Sequence, residues 1–179
     1  MSSFKKQIPN LLSLSRVPFS FLVTYTIIIN DGWLFFLFAF VAALTDFLDG
    51  YLARKWQAIS YLGIILDPIA DKIGIGVIVI TLYIYDFVPL WFLILILLKD
   101  FLILFGGLLL KYKCHVAIPP ANWAGKLATL VIATSLIIHF YQVEELIIIF
   151  QVLTALSILV VIFVYSRRYF ILKNNLLEV

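Results

Sequence analysis

Apolar residues fill six long stretches of the chain, at positions 11–29, 34–53, 63–85, 89–110, 126–141 and 146–165. Each is near the roughly 20 residues that carry a helix across ~30 Å of hydrocarbon. The fifth is short, which points to an earlier start near Asn122 or to a tilt. Ahead of the first, positions 2–15 space Phe4, Ile8, Leu11 and Leu12 like an interfacial helix, although Pro9 argues against one straight helix there. Pro9, Asn10 and Arg16 also interrupt the apolar run, and no small-x-small site follows Thr26, so the segment is expected to stay in the mature protein. The pattern predicts an all-α, polytopic membrane protein with six transmembrane helices. A short interfacial segment over 1–15 precedes them and a cytoplasmic tail over 166–179 follows, in one domain over 1–179.

Composition agrees. The chain is 64% hydrophobic and 13% charged, with a mean hydropathy of +1.13. Ordinary soluble domains carry about 25% charged residues. The basic balance does not point to nucleic acid, because the cations border apolar stretches and read as topology and phosphate-binding charges. A single cysteine, Cys114, excludes an intramolecular disulfide and a cysteine-cluster metal site. His115 and His139 read as loop or interfacial residues.

Charge also predicts orientation. Positions 30–33, 86–88 and 142–145 hold no Lys or Arg, but hold Asp31, Asp86, Glu144 and Glu145. Lys5, Lys6, Arg16, Arg54, Lys55, Lys111, Lys113, Lys126, Arg167, Arg168 and Lys173 fall on the other side. The positive-inside rule then puts both termini in the cytoplasm, in a multi-pass protein of the bacterial inner (plasma) membrane. Trp33, Trp56, Trp91 and Trp123 fall at span ends, as an interfacial belt requires.

Against this background stand Asp46, Asp49, Asp67 and Asp71. One aspartate at the centre of a membrane helix costs about 2.5–3.5 kcal/mol on insertion scales. Four without compensation would cost on the order of 10 kcal/mol, comparable to the stability of a whole domain. With their neighbours they read D-x2-D-G-x2-A-R-x8-G-x3-D-x3-D, through Gly50, Ala53, Arg54 and Gly63. At about 100° per residue, Asp46, Asp49, Gly50 and Ala53 share one face of the second helix, and Gly63, Asp67 and Asp71 one face of the third. A short link makes these helices antiparallel neighbours whose acidic faces can meet, at the cytoplasmic side.

Carboxylates converging from two helices suit Mg²⁺ or Mn²⁺. Two such ions ~3.5–4 Å apart could clamp a diphosphate. Arg54 adds a cation with bidentate phosphate geometry. Asp71, deepest and last, is the best-placed proton acceptor for an attacking hydroxyl. Buried ion pairs with Arg54, Lys55 and Lys72 are a weaker account, since three cations cannot neutralise four carboxylates. An acid-lined cation transporter would distribute its acids through the membrane depth, whereas these cluster on one side.

The motif, at every specified position, resembles that of the CDP-alcohol phosphatidyltransferase family. UbiA-type prenyltransferases also use membrane aspartates with magnesium, but lack the DG-x2-AR and G-x3-D-x3-D frame. The resemblance implies that an alcohol displaces CMP from a CDP-linked lipid. It implies that Asp46, Asp49 and Asp67 bind metal, that Asp71 is metal ligand or base, and that Gly50, Ala53, Arg54 and Gly63 shape the CDP pocket. It also implies a homodimer. Residues 8–16, from Ile8-Pro9-Asn10 to Arg16, and 66–72, from Leu66-Asp67-Pro68 to Lys72, are similar to segments of the family's phosphatidylglycerophosphate synthases. The expected donor is therefore CDP-diacylglycerol and the expected acceptor glycerol-3-phosphate, with phosphatidylglycerol, the acceptor of cardiolipin synthases, as the alternative. Gly125–Thr129 resembles their GKxKT segment without its second lysine, and Lys99-Asp100 stands where an Arg–acid pair is usual. Arg16, Lys99 and Lys126 are the candidate acceptor-binding cations.

Overall fold

Three tight polar turns join the helices in pairs. At the first, Asn30 takes a positive φ of 51°, the Asn30 N–H donates to the Ile27 carbonyl (3.1 Å) and the Asp31 N–H to the Thr26 carbonyl (3.1 Å). This is a Schellman cap, which satisfies the carbonyls a helix end leaves over. The chain re-enters a helix at once, because the Asp31 carboxylate accepts the Leu34 N–H (3.0 Å) and caps the next N-terminus. Gln142 repeats the cap with φ 52°, its N–H on the His139 carbonyl and that of Val143 on Ile138. At the remaining turn Asp86 takes φ 60°, and its N–H donates to the Tyr83 carbonyl of the helix that ends there.

The structure, a computed structural model, describes the backbone at 3–55, 61–114 and 123–177, and side chains at 15–45, 48, 70, 72–105 and 123–167. All described elements are helices: α1 (Ser3–Ile28), α2 (Gly32–Lys55), α3 (Tyr61–Ile84), α4 (Leu90–Cys114), α5 (Trp123–Phe140) and α6 (Glu144–Leu177). The expected all-α class stands. Among the described residues, two helices are long and apolar enough to cross a membrane, Trp123–Phe140 and Glu144–Arg167. Shorter apolar helical stretches are Gly32–Thr45 and Lys72–Ile84.

Three boundaries differ from the sequence pattern. The interfacial segment over 1–15 is not separate, because α1 runs unbroken through Pro9 to Ile28. A proline removes one backbone hydrogen bond, a loss that a helix of 26 residues can carry. The fifth helix starts at Trp123, as its short apolar pattern allowed. The expected tail over 166–179 is helical as far as Leu177, so α6 extends 34 residues, about 51 Å. Trp33, Trp91 and Trp123 are exposed near helix starts, consistent with a belt, and Trp56 lies outside the described residues.

The helices form two compact units, Met1–Asp86 and Phe87–Val179. In the first, α1 packs against both α2 and α3. Ser20, Val23 and Ile27 are the buried stripe of α1, spaced as one helical face, and Phe35, Ala70, Val79 and Leu82 are buried with them in the unit's core. Gly74 of α3 faces Ser20 of α1, and a Cβ there would lie 3.5 Å from Ser20 Cβ, in ordinary van der Waals contact. Small residues let membrane helices approach in this way. The Ser20 hydroxyl donates to its own Val17 carbonyl (2.7 Å), so it enters the contact already satisfied.

In the second unit α6 packs against both α4 and α5. Ala124 and Ala128 of α5 and Val161 of α6 are buried together, with Ile103 of α4 against them. His139, read from sequence as interfacial, is instead buried at 1% exposure. It stacks on Phe92 of α4 (4.8 Å between rings), its Nδ1 lies 2.7 Å from the Ser135 carbonyl, and its Nε2 lies 3.0 Å from Gln151 Nε2 of α6. Nδ1–H therefore donates to Ser135, and Nε2 accepts from the Gln151 amide. One side chain thus links three helices.

Lys99 of α4 is also buried, at 4% exposure, with Nζ 3.1 Å from the carboxylate of Asp100. Two charges taken out of water hold each other in place, and removing one leaves the other uncompensated.

Two stability predictions result. A double-mutant cycle of His139→Leu and Gln151→Leu, read by denaturant unfolding in detergent, should give a coupling of about 0.6–1.7 kcal/mol; additive losses would refute the link. Asp100→Leu should destabilise by about 3–5 kcal/mol, and adding Lys99→Met should recover most of that loss. Equal losses in the single and double variants would show the pair to be inert.

Candidate active site

The aspartate motif lies wholly in the first unit. Asp46, Asp49, Gly50, Ala53 and Arg54 belong to α2, and Gly63, Asp67 and Asp71 to α3. Both helices continue unbroken through the motif, so the expected sharing of faces holds at the level of the backbone: Asp46, Asp49, Gly50 and Ala53 on one, Gly63, Asp67 and Asp71 on the other. Their side chains, and with them the expected meeting of the two acidic faces, lie outside the described residues.

Some of the surroundings are described: Leu44, Leu48 and Ile73 are exposed, whereas the α3 face toward α1 is buried. Ala70, beside Asp71, is buried at 4% exposure. Gly74, one turn further along α3, touches Ser20. Lys72 is half-buried. The α3 backbone beside Asp71 therefore lies next to α1, which packs against both acidic helices. This packing was not legible as such in the sequence. Its one signal was the stripe of Ser20, Val23 and Ile27, with the small residues Ala70 and Gly74 on α3.

The candidate acceptor-binding cations separate. Arg16, half-buried on α1, shares the unit of the aspartates. Lys99 and Lys126 belong to the second unit. Lys99 is held by Asp100, a partner that sequence reading had noted only as a neighbour, and Lys126 is exposed near the start of α5. Among the described residues no three His, Cys, Asp or Glu side chains gather into a metal site. The fit to a metal rests on the donor set of the motif, all carboxylate oxygens on two helix faces, which suits a hard divalent cation.

The chain is similar to known proteins. The sequence model of the family described as CDP-alcohol phosphatidyltransferase matches residues 6–165. A Drosophila melanogaster protein named probable cardiolipin synthase (CMP-forming) is 36% identical over 63% of this chain and 34% of its own length. A CDP-diacylglycerol–glycerol-3-phosphate 3-phosphatidyltransferase of Mycoplasma genitalium is 44% identical over 50% of this chain and 37% of its own. One of that name from Aquifex aeolicus is 35% identical over 87% of this chain and 89% of its own. The chain thus spans little more than a third of the first two relatives and most of the third. With the family match running from α1 to α6 and the motif intact on two unbroken helices, the chain belongs to the CDP-alcohol phosphatidyltransferase family.

Proposed function

We propose that this protein is a membrane phosphatidyltransferase of phospholipid synthesis, which moves the phosphatidyl group of CDP-diacylglycerol to an alcohol and releases CMP. The observation that carries the reading is the aspartate frame, whose residues keep one face on each of two unbroken helices. Asp46, Asp49, Asp67 and Asp71 would hold two Mg²⁺ or Mn²⁺ ions. Bound there, the metal supplies positive charge that offsets the diphosphate and the charge gathering on the leaving phosphate. Arg54 grips phosphate oxygens with two parallel N–H groups. Gly50, Ala53 and Gly63 leave room for the nucleotide. Asp71 takes the proton of the attacking hydroxyl, whose oxygen bonds to the lipid-side phosphorus. The bond from that phosphorus to the CMP oxygen breaks, and CMP leaves with the electron pair.

Six helices span the membrane in this reading, with both termini and the site at the cytoplasmic face of a bacterial inner membrane, in a homodimer. The charge distribution between the polar turns and the opposite ends supports that orientation. Glycerol-3-phosphate is the acceptor, with Arg16, Lys99 and Lys126 as its candidate anchors. The full-length similarity to the Aquifex aeolicus protein supports this choice. Phosphatidylglycerol is the second reading, favoured by the Drosophila melanogaster relative's name and by the pairing of Lys99 with Asp100, which leaves less free charge for a phosphate.

The test is CMP release by the purified protein with CDP-diacylglycerol, Mg²⁺ and one acceptor at a time. Glycerol-3-phosphate should release CMP; release with phosphatidylglycerol instead would move the assignment to the second reading. Folded protein that releases none with any acceptor, but conducts cations in vesicles, would replace the enzyme with a transporter. Asp71→Asn should retain CDP binding and lose about 10²–10⁴ in turnover. Wild-type turnover in that variant would refute the proton acceptor.

A further inference from the structure

Arg16 is placed to do more than set topology. It precedes Ser20 by one helical turn, so it continues the stripe of Ser20, Val23 and Ile27 that α1 buries against its neighbours. A cation that only sets orientation belongs on an exposed face at a helix end. Arg16 is instead half-buried, well inside a helix that runs from Ser3 to Ile28.

Its level relative to the motif can be worked out from described contacts. The link between α2 and α3, residues 56–60, reaches at most about 20 Å, less than the ~36 Å length of α2. Hence α3 starts near the end of α2 and runs in the same direction as α1. Ser20 touches Gly74, so one turn back on both helices places Arg16 level with Ala70, one residue from Asp71. On the other side, equal steps from the turn at Asn30 bring Arg16 opposite Leu44, two residues from Asp46. Asp46 and Asp71 are the deepest aspartates of their helices. Side chains on an α-helix lean toward its N-terminus, which here is toward the motif.

We infer that Arg16 is the floor of the site: a guanidinium fixed on α1 at the deep end of the aspartate frame, where it binds a phosphate oxygen of a substrate. The inference rests on the proposed phosphatidyltransferase reading. It adds a third helix to a site otherwise drawn from α2 and α3, and it gives the brace formed by α1 a chemical purpose. A planar fork suits a phosphate held from one side, while the aspartates and Arg54 address it from the others. The phosphate is either the diphosphate of the donor or the phosphomonoester of the acceptor, and kinetics tell them apart.

The experiment measures steady-state CMP release by the full chain in detergent, varying donor and acceptor separately, for wild type, Arg16→Lys and Arg16→Gln, alongside their unfolding midpoints. Loss of a charge-assisted hydrogen bond should raise one KM by about ten- to a hundredfold in Arg16→Gln, with a smaller rise in Arg16→Lys. A rise confined to CDP-diacylglycerol assigns the diphosphate; a rise confined to glycerol-3-phosphate assigns the acceptor. Both KM values unchanged, whatever happens to the unfolding midpoint, would overturn the inference and leave Arg16 a packing residue. If Arg16→Gln does not survive purification, the same two readings on Arg16→Lys decide. A wild type that releases no CMP fails the phosphatidyltransferase reading itself, which is a different outcome from a variant that matches an active wild type.

Discussion

One constraint runs through the described structure: a polar group taken away from water loses its solvent partners. Each one must find a partner in the protein. The backbone does so by remaining helical, and the turns do so with Schellman caps and the Asp31 N-cap. The hydroxyls of Ser20, Thr26, Thr45, Thr81 and Ser157 donate to carbonyls one turn back in their own helices. His139 spends both ring nitrogens, and Lys99 spends its charge on Asp100. The acidic frame of α2 and α3 falls under the same requirement, its side chains lying outside the described residues. A divalent cation with a diphosphate is the partner that matches its chemistry.

The same constraint explains how the first unit is built. Lipid tails are as apolar as leucine, so helices gain little simply by meeting, and close approach has to supply the packing. Ser20 against Gly74 is such an approach, and it sits one turn from Asp71. Precision at a site that holds highly charged substrates needs rigid support, because small displacements of reacting groups cost rate steeply. A helix that touches both α2 and α3 provides that support. In the second unit the corresponding work is done by α6, through apolar contact with α5 and the His139–Gln151 link.

Much of this was legible in the sequence, and what was not has physical reasons. The helical class, the six segments and the placement of each motif residue followed from hydropathy and from a spacing of three and four. The end of α6 did not, because polar residues such as Lys173 and Asn174 mark the end of an apolar run and not the end of a helix. The unbroken α1 was hidden by Pro9, which the helix passes through. His139 read as interfacial because nothing in its own helix announces Phe92 or Gln151, which come from other helices. Arg16 was visible as a cation, but its relation to Asp71 depends on the Ser20–Gly74 contact, which is tertiary information. The acceptor was the least legible part, since the cations proposed to recognise it serve topology equally well.

The central claim is that Asp46, Asp49, Asp67 and Asp71 form a divalent-metal site for a CDP-linked substrate. Manganese binding to the purified protein, followed by electron paramagnetic resonance with CDP present, tests it most directly. The account predicts bound manganese in wild type, approaching two ions per chain, and its loss in Asp67→Asn when helicity and unfolding midpoint are retained. Folded wild type that binds no manganese, or binding that survives substitution of all four aspartates, would contradict it.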